Sequence, residues 1–175
     1  MPDVLPPTTT DAIPKAITQA VQEATTAFFT TSCGLTHVPD AAGDEEAAGA
    51  GIMSAISFLG DRPWAFAMAL PETSAVALAK AFAGFEIPFD SQDMGDLLGE
   101  VVNVIAGDIS ARLNAEGIQA QMSLPMSVRG ADVTTLVPHG VATNRLLFEG
   151  PHGRCWLDLV SDRFDGLTFR QPGMG

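Results

Sequence analysis

The order of hydrophobic patterns along this chain predicts an α+β fold, a largely antiparallel sheet covered by long helices. Three observations carry that reading. Residues 91–116 repeat apolar side chains at helical spacing over a length well beyond the average helix. Two pairs of apolar runs, 52–59 with 64–70 and 141–148 with 155–160, are each separated by a short segment rich in glycine and proline, the mark of β-hairpins. Helices and hairpins succeed one another without the strict βαβ alternation of a parallel sheet.

In chain order, residues 1–10 hold three prolines and three consecutive threonines and read as a disordered leader. A helix is expected from about Asp11, with Pro14 tolerable only in its first turn. Its apolar stripe is Ile13, Ile17, Val21, Ala24 and Phe28, and Gly34 ends it. Residues 39–51, with Asp44, Glu45 and Glu46 among alanines and glycines, read as a solvated surface loop, not a metal site. In the first hairpin Trp64, Phe66, Met68 and Leu70 alternate with alanines, so the larger side chains share one face. Pro71, Glu72 and Thr73 open a second helix that runs to about Phe82 and stops at Gly84.

The 91–116 helix places Met94, Leu98, Val101, Val102, Ile105, Ile109 and Leu113 on one arc, and Asp93, Asp96, Glu100, Asn103, Gly107, Ser110 and Asn114 on the other. Asp90 or Ser91 can cap its start, and Gly117 suits a left-handed residue past its end. Beyond it, Ile118, Ala120, Met122 and Leu124 alternate with polar residues as a half-buried strand, Pro125 breaks that strand, and Val128, Arg129 and Gly130 lead into a turn. After the second hairpin the chain ends in a loose tail, so the expected organisation is a leader (1–10), one domain (11–162) and a tail (163–175).

Composition narrows the function. The chain has 175 residues, long enough for a substantial core, and is 46% hydrophobic with no apolar run of membrane-spanning length. Its start lacks a signal-peptide pattern, and Cys33 and Cys155 stand in no metal or redox spacing, as expected of a cytoplasmic protein with reduced thiols. A net charge of −12 with nine Lys and Arg argues against nucleic acid and against an anionic membrane as partners. His37, His139 and His152 fall in separate segments, so no metal site is expected. Gly95, Gly99 and Gly107 lie inside a helix, not in a phosphate-binding loop. Each helical glycine costs about 1 kcal/mol against alanine, which close packing or the close approach of a partner can explain.

Glu100 and Asn103 are three residues apart and project from one exposed patch. On composition alone they are an ordinary solvated helix face. Their setting, Gly99-Glu100-Val101-Val102-Asn103-Val104-Ile105-Ala106-Gly107, resembles the Glu-x-x-Asn segment of the CheX/CheC/FliY chemotaxis phosphatases. Gly117, the strand to Leu124, Pro125 and Ser127-Val128-Arg129-Gly130 also resemble the segment after that helix in CheX, and the similarity runs from about residue 12 to 162. Glu-x-x-Asn occurs once here, as in the single-site CheX branch.

The resemblance implies a CheC-like two-layer fold and a phosphatase that hydrolyses the aspartyl phosphate of a CheY-like response-regulator receiver, in chemotaxis or related two-component signalling. It implies catalytic roles for Glu100 and Asn103, a homodimer joined through sheet edges, no cofactor bound by this chain, and Mg2+ on the partner receiver. Asp96 and Gly107 share the patch, and Leu97 and Val104 lie beside it on the helical wheel. All four are candidate docking residues, with burial the equal alternative for Leu97 and Val104. Two rival readings remain: a non-catalytic receiver-docking or flagellar-switch-like module, and a small-ligand sensor on the same fold.

Overall fold

The computed structural model describes residues 13–39, 51–60, 63–133 and 141–161. In chain order these form helix α1 (Lys15–Ser32), strands β1 (Thr36–Val38), β2 (Gly51–Gly60) and β3 (Trp64–Pro71), helices α2 (Glu72–Ala83) and α3 (Gln92–Ala115), and strands β4 (Ala120–Met122), β5 (Met126–Gly130), β6 (Ala142–Gly150) and β7 (Gly153–Ser161). The strands make one sheet in the order β1-β6-β7-β3-β2-β4, with β5 also paired to β2. Every pairing is antiparallel. The α+β architecture expected from the patterns is therefore the one observed. The leader, the acidic run at 44–46, His139 and the tail lie outside the described residues.

Alternation sets the layers. In β2, Ile52, Ile56 and Phe58 are buried, while Leu59 on the other parity is 55% exposed. Register carries the buried parity into Phe66, Met68 and Leu70 of β3, Leu157 and Leu159 of β7, and Phe148 of β6. The helices supply the other half of the same core: Ile17, Val21, Ala24 and Phe29 from α1, Ala75 and Leu78 from α2, and the whole predicted apolar arc of α3. Phe58 stacks flat on Trp64 with ring centroids 3.9 Å apart. On the opposite face, the Arg145 guanidinium and the Asp158 carboxylate form a two-bond ion pair at 2.5 and 2.9 Å, which raises the Arg145 pKa.

Helix ends obey their capping chemistry. Ser91, not Asp90, caps α3, its Oγ accepting the Met94 N–H at 3.3 Å. Past the end, Gly117 takes φ 79°, a left-handed conformation that glycine enters without a Cβ penalty. The first helix starts later than expected, at Lys15, because Pro14 with ψ 135° is the residue outside it. Its core aromatic is Phe29; Phe28 is half-buried at the margin of the core, its ring 5.8 Å from that of Phe82 in α2.

The expectation for 118–130 needs correcting. Only Ala120–Met122 is a strand, Leu124 is 89% exposed, and Met126–Gly130, which leads into the bend at 131–132, is a second strand on β2. Phe58 pairs with Met122 and Ala55 with Met126, so two residues of β2 face three of the other strand. This is a one-residue bulge. Ser57 and Ser123 hold it, with Ser123 N–H on the Ser57 carbonyl at 2.9 Å and Ser57 N–H on Ser123 Oγ at 3.0 Å. Pro125, which has no N–H to give a ladder, sits in the surplus. A one-residue slip exchanges the faces of everything beyond it. Ser127 and Arg129 therefore pair with Ser54 and Ile52 and turn toward the helices, while Met126 and Val128 turn away, 70% and 48% exposed.

Candidate active site

The exchanged face of β5 fastens the strand to α3. Ser127 Oγ donates to the Gly95 carbonyl at 3.2 Å, and the buried Ser54 hydroxyl meets Ser127 Oγ at 3.0 Å, so a buried polar side chain is satisfied. Arg129 Nη1 donates to the carbonyls of Phe89 at 2.9 Å and Ser91 at 2.8 Å, just ahead of the helix. Its guanidinium lies over the Phe89 ring, 5.9 Å from the centroid.

Between helix and strand runs an open groove of about 820 Å³. One wall is Gln92, Asp96, Glu100 and Asn103 of α3; the other is Leu124, Pro125, Met126, Ser127 and Arg129. Gly95 and Gly99 leave backbone between them. A Cβ on Gly99 meets Pro125 at 3.7 Å, and one on Gly95 meets Ser127 at 4.0 Å, both ordinary contacts. Internal packing therefore does not require either glycine.

Glu100 and Asn103 are both exposed, and neither side chain bonds to another described residue. Asp96 accepts from Gln92 Nε2 at 3.1 Å. Val104 is 44% exposed, whereas Leu97 is half-buried against the core, and neither lines the groove. Sequence reasoning missed the strand wall, because its orientation depends on the bulge. Gly107 is beside the patch, and a Cβ there meets nothing within 4 Å. Gly107→Ala is expected to raise stability by up to about 1 kcal/mol in urea unfolding. An accompanying rise in KM for a partner protein would assign the missing Cβ to that partner's approach.

The rest of the described surface offers less chemistry. Burial pushes the Cys33 thiol up to about 11 and holds Cys155 well above the ordinary thiol range, so neither is a thiolate nucleophile at neutral pH. A second open groove, about 670 Å³ between α1 and α3, has Arg112 occupied by Glu23 at 2.8 Å and Asp108 at 3.1 Å. Among the described residues no group of three or more His, Cys, Asp or Glu has the arrangement of a metal site. No helix among them is long and apolar enough to cross a membrane.

A single antiparallel sheet backed by three helices is the α+β fold of CheC-like proteins. Residues 52–149, more than half of the chain, match the family model for the chemotaxis phosphatase CheX, and the protein belongs to that family. Among solved structures it is similar to a CheC-like superfamily protein from Shewanella sp. PV-4, with TM-score 0.75 and 15% identity over 86% of this chain and 100% of that one. It is similar also to CheX from Desulfovibrio desulfuricans, with TM-score 0.69 and 23% identity over 83% and 99% of the two chains. A chain of the CheX–CheY–BeF3–Mg2+ complex from Borrelia burgdorferi matches with TM-score 0.59 and 13% identity over 85% and 96%. At these identities the likeness is one of fold. No match is found among curated proteins.

Proposed function

We propose that this protein is a cytoplasmic phosphatase that hydrolyses the aspartyl phosphate of a CheY-like receiver domain, with Asn103 and Glu100 as its catalytic pair. One observation carries the reading: two side chains able to orient water and to pair with a cation stand exposed, a turn apart, in one groove and without a bonding partner among the described residues. Family membership and the CheX–CheY complex among its structural relatives support the choice of partner.

The chemistry asks little of the phosphatase. An aspartyl phosphate is already activated, and phosphoryl transfer depends mostly on positioning and on charge neutralisation, which the receiver's own Mg2+ and lysine supply. The Asn103 amide donates and accepts at once, so it can hold a water in line with the phosphorus without acting as a base. Glu100 pairs with the receiver's lysine and fixes the register of docking. The active species in this proposal is a homodimer joined through sheet edges, and the chain itself needs no metal.

The timed loss of phosphate from the host's receivers tests the activity. The role of Glu100 has its own test in binding to a receiver that carries an unreactive phosphate mimic. Glu100→Ala is expected to weaken that complex and slow turnover together. Raising ionic strength toward 1 M, where the screening length falls to about 3 Å, should reproduce part of the loss in the parent and add little to the variant. Equal salt dependence of parent and variant would remove the charge pairing from the mechanism.

A further inference from the structure

Leu124 is the most exposed of the large apolar side chains among the described residues, at 89%. An exposed leucine on a loose loop asks for no explanation. This one is held. Its carbonyl accepts Ser123 Oγ at 2.9 Å, Ser123 is tied to Ser57 on β2, and Pro125 next to it abuts the position of Gly99 on α3. The bulge thus fixes the backbone that presents this apolar side chain at the rim of the groove that contains Glu100 and Asn103.

The two walls differ in kind. The α3 wall is acidic, with Asp96 and Glu100, and the groove's arginine is turned back on backbone carbonyls at the helix start. The strand wall is apolar at its rim. A body that brings a phosphoaspartate to Asn103 comes to the open groove that both walls line. A second copy of this chain, whatever it joins through a sheet edge, is a poor occupant of this groove, since Lys80 and the arginines among its described residues are already engaged by carboxylates or backbone carbonyls and offer Asp96 and Glu100 little free positive charge. A receiver that offers a lysine to Glu100 and an apolar side chain to Leu124 meets both walls.

We infer that the strand wall, Leu124 above all, is a second docking surface for the phosphorylated receiver, seating an apolar side chain of it while α3 meets its positive charge. This rests on the phosphatase reading of the same groove. Because the backbone at Leu124 is already held outward, docking has only the side chain to order there, and most of the apolar burial goes into affinity. It acts on binding and not on the reacting atoms.

The test is steady-state phosphate release with Leu124→Asp, Leu124→Ala and Leu124→Met, alongside binding to a receiver carrying an unreactive phosphate mimic and sedimentation of each free variant. Leu124→Asp is expected to raise KM and the dissociation constant about tenfold, with kcat kept within about twofold; Leu124→Ala should do the same more weakly, and Leu124→Met should restore the parent. Folding is not at stake at a side chain so exposed. Parental KM and binding in Leu124→Asp would overturn the inference. So would a change in sedimentation of the free variant with KM unchanged, which would make the wall a self-association surface. If the parent itself releases no phosphate from any receiver, the phosphatase reading fails. Binding alone then decides the docking surface: loss of receiver binding in Leu124→Asp upholds it, and parental binding overturns it.

Discussion

Asn103→Ala is expected to reduce acceleration of receiver dephosphorylation by about a hundredfold or more, toward the receiver's own rate. The variant should fold like the parent, since Asn103 is exposed and its side chain bonds to no other described residue. Surface changes of that kind usually stay within about 0.5 kcal/mol. Binding to a receiver with an unreactive phosphate mimic should change by a few-fold at most, because in the proposed mechanism the amide serves the attacking water and not the complex. The loss must therefore appear in kcat with KM nearly constant. A variant that turns over like the parent removes the mechanism assigned to this helix, and the docking-module reading takes its place.

Ile105→Ala, two residues further along the same helix, is expected to do the opposite. Ile105 is 1% exposed and belongs to the cluster that joins α3 to the sheet. Truncating a buried isoleucine to alanine removes transfer free energy and leaves a cavity, together about 2–5 kcal/mol. That is a large share of the roughly 5–15 kcal/mol that holds a domain folded. In urea the unfolding midpoint should fall accordingly. Below the transition, kcat should be retained, since Glu100 and Asn103 stand on the opposite arc. A loss under about 1 kcal/mol would mean that the arc from Met94 to Leu113 is not packed as described.

That opposition was legible in the sequence because a 24-residue amphipathic helix repeats its pattern often enough to define both arcs. Ser91, Gly84 and Gly117 marked helix ends for the same reason: their side chains, or the lack of one, satisfy or permit a specific backbone geometry. The two hairpins were readable from alternation and from their glycine- and proline-rich turns. Strand β1, three residues long, carries too little pattern to separate it from the loop around it. The 118–130 segment misled because Pro125 looks like the end of a strand, whereas it sits in a bulge after which β2 pairing resumes. Register across strands is a tertiary property, and one extra residue inverted the faces of Met126, Ser127, Val128 and Arg129.

The candidate site divides along the same line. Its helix wall, Asp96, Glu100 and Asn103, comes from spacing on one element, and the similarity of 99–107 to the Glu-x-x-Asn segment supplied the chemistry. Its strand wall exists only once β5 is laid on β2, so no local pattern announces Leu124 as a groove residue. Periodicity placed Leu97 and Val104 beside Glu100 equally well. Packing then separated them, with Leu97 against the core and Val104 exposed, neither of them lining the groove.

Whether this groove discharges receivers is read from the time course of aspartyl phosphate on each of the host's phosphorylated receivers, with and without a substoichiometric amount of this protein. At least one receiver is expected to lose phosphate faster, with many phosphates released per chain of this protein, and Asn103→Ala to abolish the acceleration. A receiver that binds tightly yet keeps its phosphate at its own intrinsic rate, with no other receiver accelerated, would make this groove a docking site without turnover.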